Sequence, residues 1–209
     1  MGSADLASRL TLRLEAAAVA IGVEELAGLI RYFELLRKWN AVLNLTALAE
    51  SDEALDRLLV EPLAAAEHLP EAGWLVDVGS GGGSPAIPLK IVRPRLTLTM
   101  IEVRARKAAF LREAVRHLGV RDVSVEAERA EEWVASQVGA PSVPRAYTMR
   151  AVKPEGALTR QLAALADAGT RLCVFGAGAA PPALPGWRLS GERQLLPQRR
   201  SALWVFTLS

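Results

Sequence analysis

A chain of 209 residues has room for one full-sized domain, or one domain with an extension, and a core of that size needs neither disulfides nor a structural metal. The single cysteine, Cys173, excludes an intrachain disulfide framework and a multi-cysteine zinc site, and two histidines, His68 and His117, leave no His-rich metal centre. Hydrophobic residues at 51%, charged residues at 23% and a net charge of +2 describe a folded globular protein whose charge permits a nucleic-acid partner without demanding one.

The opening residues, Met1-Gly2-Ser3-Ala4-Asp5, form neither a basic nor an apolar leader region, so the expectation is a cytoplasmic protein. Residues 1–70 read as a helical extension, with helices expected over Asp5–Ile21, Glu24–Leu43 and Asp52–His68. In the second of these, Leu26, Leu29, Ile30, Phe33 and Leu36 recur at helical spacing. The third opens with Ser51 as a cap and acids in its first turn. Pro70 and Gly73 then punctuate the chain, and residues 71–209 read as an α/β domain of alternating strands and helices.

Strands are expected over Trp74–Val78, Leu96–Ile101, Asp122–Val125, Arg145–Arg150 and Arg171–Phe175. Helices fall between and after them, over Pro85–Val92, Arg104–Leu118 (closed by Gly119), Ala130–Val138 and Pro154–Ala168. Leu172 to Trp187 is the longest stretch without charge, but Gly176, Gly178, Pro181, Pro182 and Pro185 prevent it from crossing a membrane as a helix. Two β-rich segments, Trp187–Leu196 and Ala202–Leu208, end the chain with too few residues between them for a crossover helix, so they must pair antiparallel. The sheet is therefore mostly parallel with one antiparallel C-terminal strand. Nicotinamide-binding Rossmann domains run their strands parallel; a reversed last strand is typical of the Rossmann-like class I methyltransferase fold.

The most informative stretch is Asp77-Val78-Gly79-Ser80-Gly81-Gly82-Gly83-Ser84-Pro85, which follows a strand and opens a helix. Gly79, Gly81 and Gly83 let the backbone turn tightly and approach a ligand closely. As a dinucleotide fingerprint, G-x-G-x-x-G, the stretch fails at Ser84; as the methyltransferase pattern G-x-G-x-G it matches throughout, with Asp77 just upstream. Glu102 ends the second strand close to the roughly 20-residue offset at which an acid meets an adenosine ribose. Arg104 and Arg106 beyond it would also suit the 2′-phosphate of NADP, which keeps a dehydrogenase as the minority reading. Glu128-Arg129-Ala130-Glu131-Glu132 follows the third strand, where such folds place the adenine, although an acidic first helical turn explains Glu131 and Glu132 equally well.

These residues resemble the bacterial small-subunit ribosomal RNA methyltransferase G family, also called glucose-inhibited division protein B. The resemblance is carried by Leu36-Arg37-Lys38-Trp39-Asn40, Asn44-Leu45-Thr46, the run from Asp77 to Gly83, and Pro85-Ala86-Ile87-Pro88-Leu89. It continues through Phe110-Leu111-Arg112, Arg129-Ala130-Glu131-Glu132 and Arg150-Ala151. Composition and size already set the expectation of a metal-free monomer. The resemblance implies S-adenosyl-L-methionine as methyl donor and N7 of a guanine in the decoding region of 16S ribosomal RNA as acceptor, in that RNA or in the 30S subunit. It also implies that Gly79 and Ser84 hold the methionine side, Ala130 and Glu131 the adenosine end, and that Arg150 faces the sulfonium and the guanine.

The chain departs from the family pattern at several polar positions. Where the family carries Arg-His-x-x-Asp-Ser, this chain has Arg57-Leu58-Leu59-Val60-Glu61-Pro62. Met149 replaces a serine before Arg150, Arg145 replaces the acid that opens the fourth strand, and Phe175 replaces a lysine at the end of the fifth. Two alternatives thus stay open: a methyltransferase of this fold with a shifted RNA or small-molecule substrate, and a donor-binding ribosome-associated protein without turnover.

Arg31, Arg37, Lys38, Arg57, Arg104, Arg106 and Lys107 are candidates for a phosphate-contacting rim. The lysines are few, Lys38, Lys90, Lys107 and Lys153, and the other bases are arginines suited to RNA, but a GC-rich genome produces the same bias. Cys173 sits inside a strand and is expected in the core, not as a nucleophile; His68 and His117 are expected on helices without partners.

Overall fold

The computed structural model describes residues 3–48, 51–152, 156–176, 180–196 and 199–209. The expected helix start at Pro154 and residues 177–179 of the Ala/Pro/Gly loop lie outside the described residues. Two helices open the chain, α1 (Ser3–Ala16) and α2 (Val23–Leu43). The third expected helix is present but mixed in register: α3 (Asp52–Leu55), a π-helical turn (Asp56–Val60), α4 (Glu61–Ala65) and a 3-10 turn (Ala66–His68) follow one another without a break. Ser51 caps it, its hydroxyl accepting from the Ala54 amide at 3.3 Å.

Five parallel strands follow: β1 (Gly73–Val78), β2 (Leu96–Ile101), β3 (Val123–Glu126), β4 (Ala146–Arg150) and β5 (Arg171–Gly176). The helices α5 (Ala86–Val92), α6 (Ala105–Leu118), α7 (Ala130–Ser136) and α8 (Gly156–Ala164) connect and flank them. A hairpin of β6 (Trp187–Leu196) and β7 (Ser201–Leu208) completes the sheet, with β7 antiparallel to both β5 and β6. The strand order is β3-β2-β1-β4-β5-β7-β6, so the expected reversed strand is β7.

Alternation along the strands builds two cores, one on each face. Leu75, Leu98, Met100, Ala146, Cys173 and Leu203 face the layer formed by α1–α6, including Leu10, Leu29, Phe33, Leu59 and Phe110. Val76, Val78, Ile101, Tyr147, Met149, Leu172 and Trp204 face the other side, with Trp133, Leu158 and Trp187. Cys173 is fully buried, as expected, and burial pushes its thiol up to about 12. The same period of two puts Asp77, Thr148, Arg150 and Phe175 on the first face, beneath the helix over 52–68.

Charged residues fix that helix over the sheet. Arg9 bonds Asp52 at 2.5 Å, Arg13 pairs with the Asp56 carboxylate, and Arg199, in the β6–β7 turn, reaches Asp56 at 2.6 Å. His68 corrects the expectation that both histidines lack partners. Its Nε2 lies 3.2 Å from Glu67, and its carbonyl accepts from Arg171 at 3.0 Å. Among the described residues, no helix is long and apolar enough to cross a membrane, and no group of three His, Cys, Asp or Glu is arranged to hold a metal ion.

Candidate methyl-donor cleft

The strand order reverses between β1 and β4, and the carboxyl ends of these two strands open the crevice where α/β sheets bind ligands. The glycine loop leaves β1 there. The Gly79 and Ser80 amides donate to the Ile101 carbonyl at 2.9 and 3.0 Å, which ties the loop to the end of β2. Gly79 sits at φ 74°, and a Cβ there would lie 2.6 Å from Val152, so no other residue fits without strain. Gly81 (φ 53°) also needs the left-handed region, and among the described residues a Cβ there would come within 4 Å of the Gly79 carbonyl alone, at 3.8 Å. From above, Tyr32 on α2 donates to the Gly82 carbonyl at 2.7 Å.

Two adjoining cavities share Gly79, Glu102 and Val152. One, of about 250 Å³, is lined by Val78, Ile101, Val103 and the turn Glu128-Arg129-Ala130-Glu131. The other, of about 410 Å³, is lined by Ser80, Gly81, Gly82, Ser84, Arg150, Ala151 and the turn from Leu45 to Leu48. Arg57, Arg104 and Lys107 of the expected basic rim line this second lobe, and Arg37 lines a further cavity beside it. Arg31, Lys38 and Arg106 line none of these three.

Glu102, 6% exposed, is pinned by its own neighbourhood. Its two carboxylate oxygens accept from the Gly81 amide at 2.9 Å and the Arg104 amide at 2.8 Å, leaving one lone pair on each. Asp77 lies under the loop, 1% exposed, and lines neither lobe. Its Oδ1 accepts from the Thr148 hydroxyl at 2.6 Å, whereas its Oδ2 is buried without a partner, and burial pushes this carboxyl up from its ordinary value. A buried carboxylate beneath the loop acts on the cleft through its charge and fits a cationic ligand above it, as S-adenosyl-L-methionine is at its sulfonium and amino group.

Arg150 ends β4 with its side chain 11% exposed. Its Nη1 donates to the Arg57 carbonyl, its Nη2 lies 3.2 Å from the Glu61 carboxylate, and its Cζ stands 4.7 Å from the centre of the Phe175 ring. Burial lowers the guanidinium pKa to about 10, which leaves it charged at neutral pH.

Pro62 explains why the helix offers carbonyls to this site. A proline has no N–H, so the Leu58 carbonyl in the α register and the Arg57 carbonyl in the π register both lose their helical donor at residue 62. Those two carbonyls accept instead from Ser84 Oγ, at 2.8 Å, and from Arg150. Sequence reasoning singled out Glu61, Pro62 and Phe175 only as departures from a pattern; strand alternation beneath a helix was the signal that could have brought them together. The Asn40/Asn44/Thr46 motif is also resolved physically. Asn44 ends α2 in the left-handed conformation, and Asn40 Oδ1 accepts from the Thr46 amide at 2.8 Å, which shapes the turn lining the second lobe.

The strand order and the reversed β7 give the fold of the Rossmann-like class I methyltransferases. Solved structures with this fold include mitomycin 7-O-methyltransferase, 18% identical with a TM-score of 0.59 over 85% of this chain and 60% of that one. Another is a SAM-dependent methyltransferase from Aquifex aeolicus, 15% identical with a TM-score of 0.54 over 74% of this chain and 92% of that one. Residues 25–180 match the family model described as rRNA small subunit methyltransferase G, and the chain belongs to that family. Curated relatives named ribosomal RNA small subunit methyltransferase G include that of Dichelobacter nodosus, 42% identical over 61% of this chain and 62% of the relative. Those of Xanthomonas oryzae and Neisseria meningitidis are 44% and 38% identical, over 50% and 57% of this chain and 49% and 59% of the relatives. The chain thus spans about half to three fifths of the length of the curated relatives it matches.

Proposed function

We propose that the protein transfers the methyl group of S-adenosyl-L-methionine to N7 of a guanine in the decoding region of 16S ribosomal RNA, acting in the cytoplasm as a monomer on that RNA or on the 30S subunit. The observation that carries this reading is the two-lobed cleft at the switch point, glycine loop on one side and Arg150 on the other, in a chain of this family. When bound, the donor supplies an electrophilic methyl on a sulfonium, which the in-plane lone pair of N7 would attack in line, releasing the neutral thioether. Because N7 carries no proton, the protein needs no general base, and its residues act by positioning and by excluding water.

Gly79 and Ser84 border the lobe assigned to the methionine side, and Ala130 and Glu131 border the one assigned to the adenosine. The free lone pairs of Glu102 suit two ribose hydroxyls, and Gly81 lines the lobe. Gly83, where a Cβ would lie 2.5 Å from Ile87, instead lets the loop pack on the helix behind it, and Asp77 adds its charge from beneath the loop. Arg150 orients the guanine or the donor's carboxylate. Phe175 and Pro62, standing where the family carries polar residues, favour a second reading in which the same chemistry acts on a shifted RNA or small molecule.

Incubating the protein with methyl-labelled donor and either naked 16S RNA or 30S subunits, then mapping the label, tests this. Label on guanine N7, falling steeply with salt, is the expected result. Label on another atom or molecule supports the second reading, and tight donor binding without label means a protein without turnover.

A further inference from the structure

The ion pair under the second lobe is incompletely satisfied. Glu61 is 3% exposed; one oxygen faces Arg150 at 3.2 Å, and the other, Oε1, is buried with no hydrogen-bond partner. Arg150 Nε and Nη2 are likewise buried without hydrogen-bond partners. A salt bridge built only for stability would have its remaining atoms satisfied, since a buried pair scarcely repays its desolvation otherwise. Around it, the cations Arg57, Arg104, Lys107 and Arg150 and the anion Glu102 line the lobe, while the anions Glu61 and Asp77 lie beneath it, so Glu61 is the carboxylate that directly faces Arg150. With Phe175 in place of a lysine, no further positive charge comes from the end of β5.

This matters because of the charge that the proposed reaction moves, and the inference rests on that reading. The N7–methyl bond forms as the methyl–sulfur bond breaks; its electron pair stays on sulfur, and the positive charge passes to the purine without any proton transfer. The donor is therefore cationic at its sulfur, and the product left in the cleft, S-adenosyl-L-homocysteine, is neutral there. An uncompensated guanidinium at this place would disfavour the donor and favour the spent product.

We propose that Glu61 is a positioning residue that holds Arg150 and offsets its charge, so that the cleft discriminates in favour of the sulfonium donor over the neutral thioether product. The readout is the ratio of dissociation constants for S-adenosyl-L-methionine and S-adenosyl-L-homocysteine, measured by calorimetry. Contacts to adenosine and carboxylate, common to both, cancel in that ratio, so a merely structural defect leaves it unmoved. Glu61→Gln is expected to shift it about tenfold toward the product, the effect of one added unit of charge screened by the solvent of the open cleft above it. Glu61→Asp, which keeps the carboxylate, is expected to hold the wild-type ratio.

Should Glu61→Gln fail to fold, the paired change Glu61→Gln/Arg150→Gln removes both charges and is expected to restore the wild-type ratio. A wild-type ratio in a folded Glu61→Gln protein, or a tenfold shift in the paired variant, overturns the assignment. A wild-type protein that binds neither molecule instead defeats the methyl-donor reading on which it rests.

Discussion

Two carboxylates at the same cleft behave in opposite ways. Glu102, at the end of β2, has both oxygens bonded to backbone amides, one in the glycine loop and one in its own turn. Glu61, in α4, keeps one oxygen for Arg150 and leaves the other buried and unpaired, and burial pushes its carboxyl up from its ordinary value. The first is a pin that shapes the loop; the second stores electrostatic tension against a single arginine. The half of the cleft near β1 and β2 is thus built from backbone geometry, and the half near β4 and β5 from side-chain charge.

Arg150→Ala breaks this contrast most severely, because it strands the Glu61 carboxylate in the core. Loss of about 3–5 kcal/mol of stability is expected from a urea titration, together with loss of methyl transfer. Transfer at the wild-type rate would remove Arg150 from the machinery. Gly79→Ala attacks the backbone half. The positive φ alone costs about 1–2 kcal/mol, overlap with Val152 adds to it, and donor affinity measured by calorimetry falls at least tenfold.

Glu102→Gln sharpens the contrast further. A carboxamide has one acceptor oxygen, so either the Gly81 or the Arg104 amide loses its partner, at a cost of about 1–3 kcal/mol in thermal or denaturant unfolding. Donor and product should weaken together, unlike the selective shift expected at Glu61. Pro62→Ala has the smallest expected effect: it returns an N–H to the helix, destabilises by less than about 1 kcal/mol through the unfolded chain, and loosens the anchoring of Ser84 and Arg150 enough to slow transfer a few-fold.

Asp77 adds a pH-dependent test. Its folded pKa lies above the ordinary 3.8 because burial disfavours the carboxylate. The unfolded chain therefore ionises first as pH rises, and the resulting penalty on the folded state grows between 3.8 and the raised folded value, then levels off. Asp77→Asn, which keeps an acceptor for Thr148, should gain stability over wild type at neutral pH and show no such gain in acid. Unfolding curves across that range check it.

Much of the backbone half was legible in the chain. Gly79, Gly81 and Gly83 between an apolar strand and a helix fix the loop's place, and the short link between β6 and β7 dictates the reversed strand. Strand bounds and most helix bounds fell within a few residues of their expected places because the apolar periods of the segments are strong. The first helix, expected to reach Ile21, instead ends at Ala16, where the chain turns with Ala18 in the left-handed region (φ 55°). The charged half was less legible. Glu61, Phe175 and Arg150 are far apart in sequence and meet only through tertiary packing, and the π turn over Asp56–Val60 has no local signal except Pro62 at its exit. Glu102 was readable as a strand-end acid, but its two backbone amides depend on how the loop folds back.

The central claim is that the cleft receives a sulfonium nucleoside. A crystal structure of the protein soaked with S-adenosyl-L-methionine tests this most directly. The account predicts adenosine beside Ala130 and Glu131, and the methionine portion between Ser84 and Arg150. A cleft that stays empty at saturating donor, or one that takes a nicotinamide dinucleotide in its place, contradicts it.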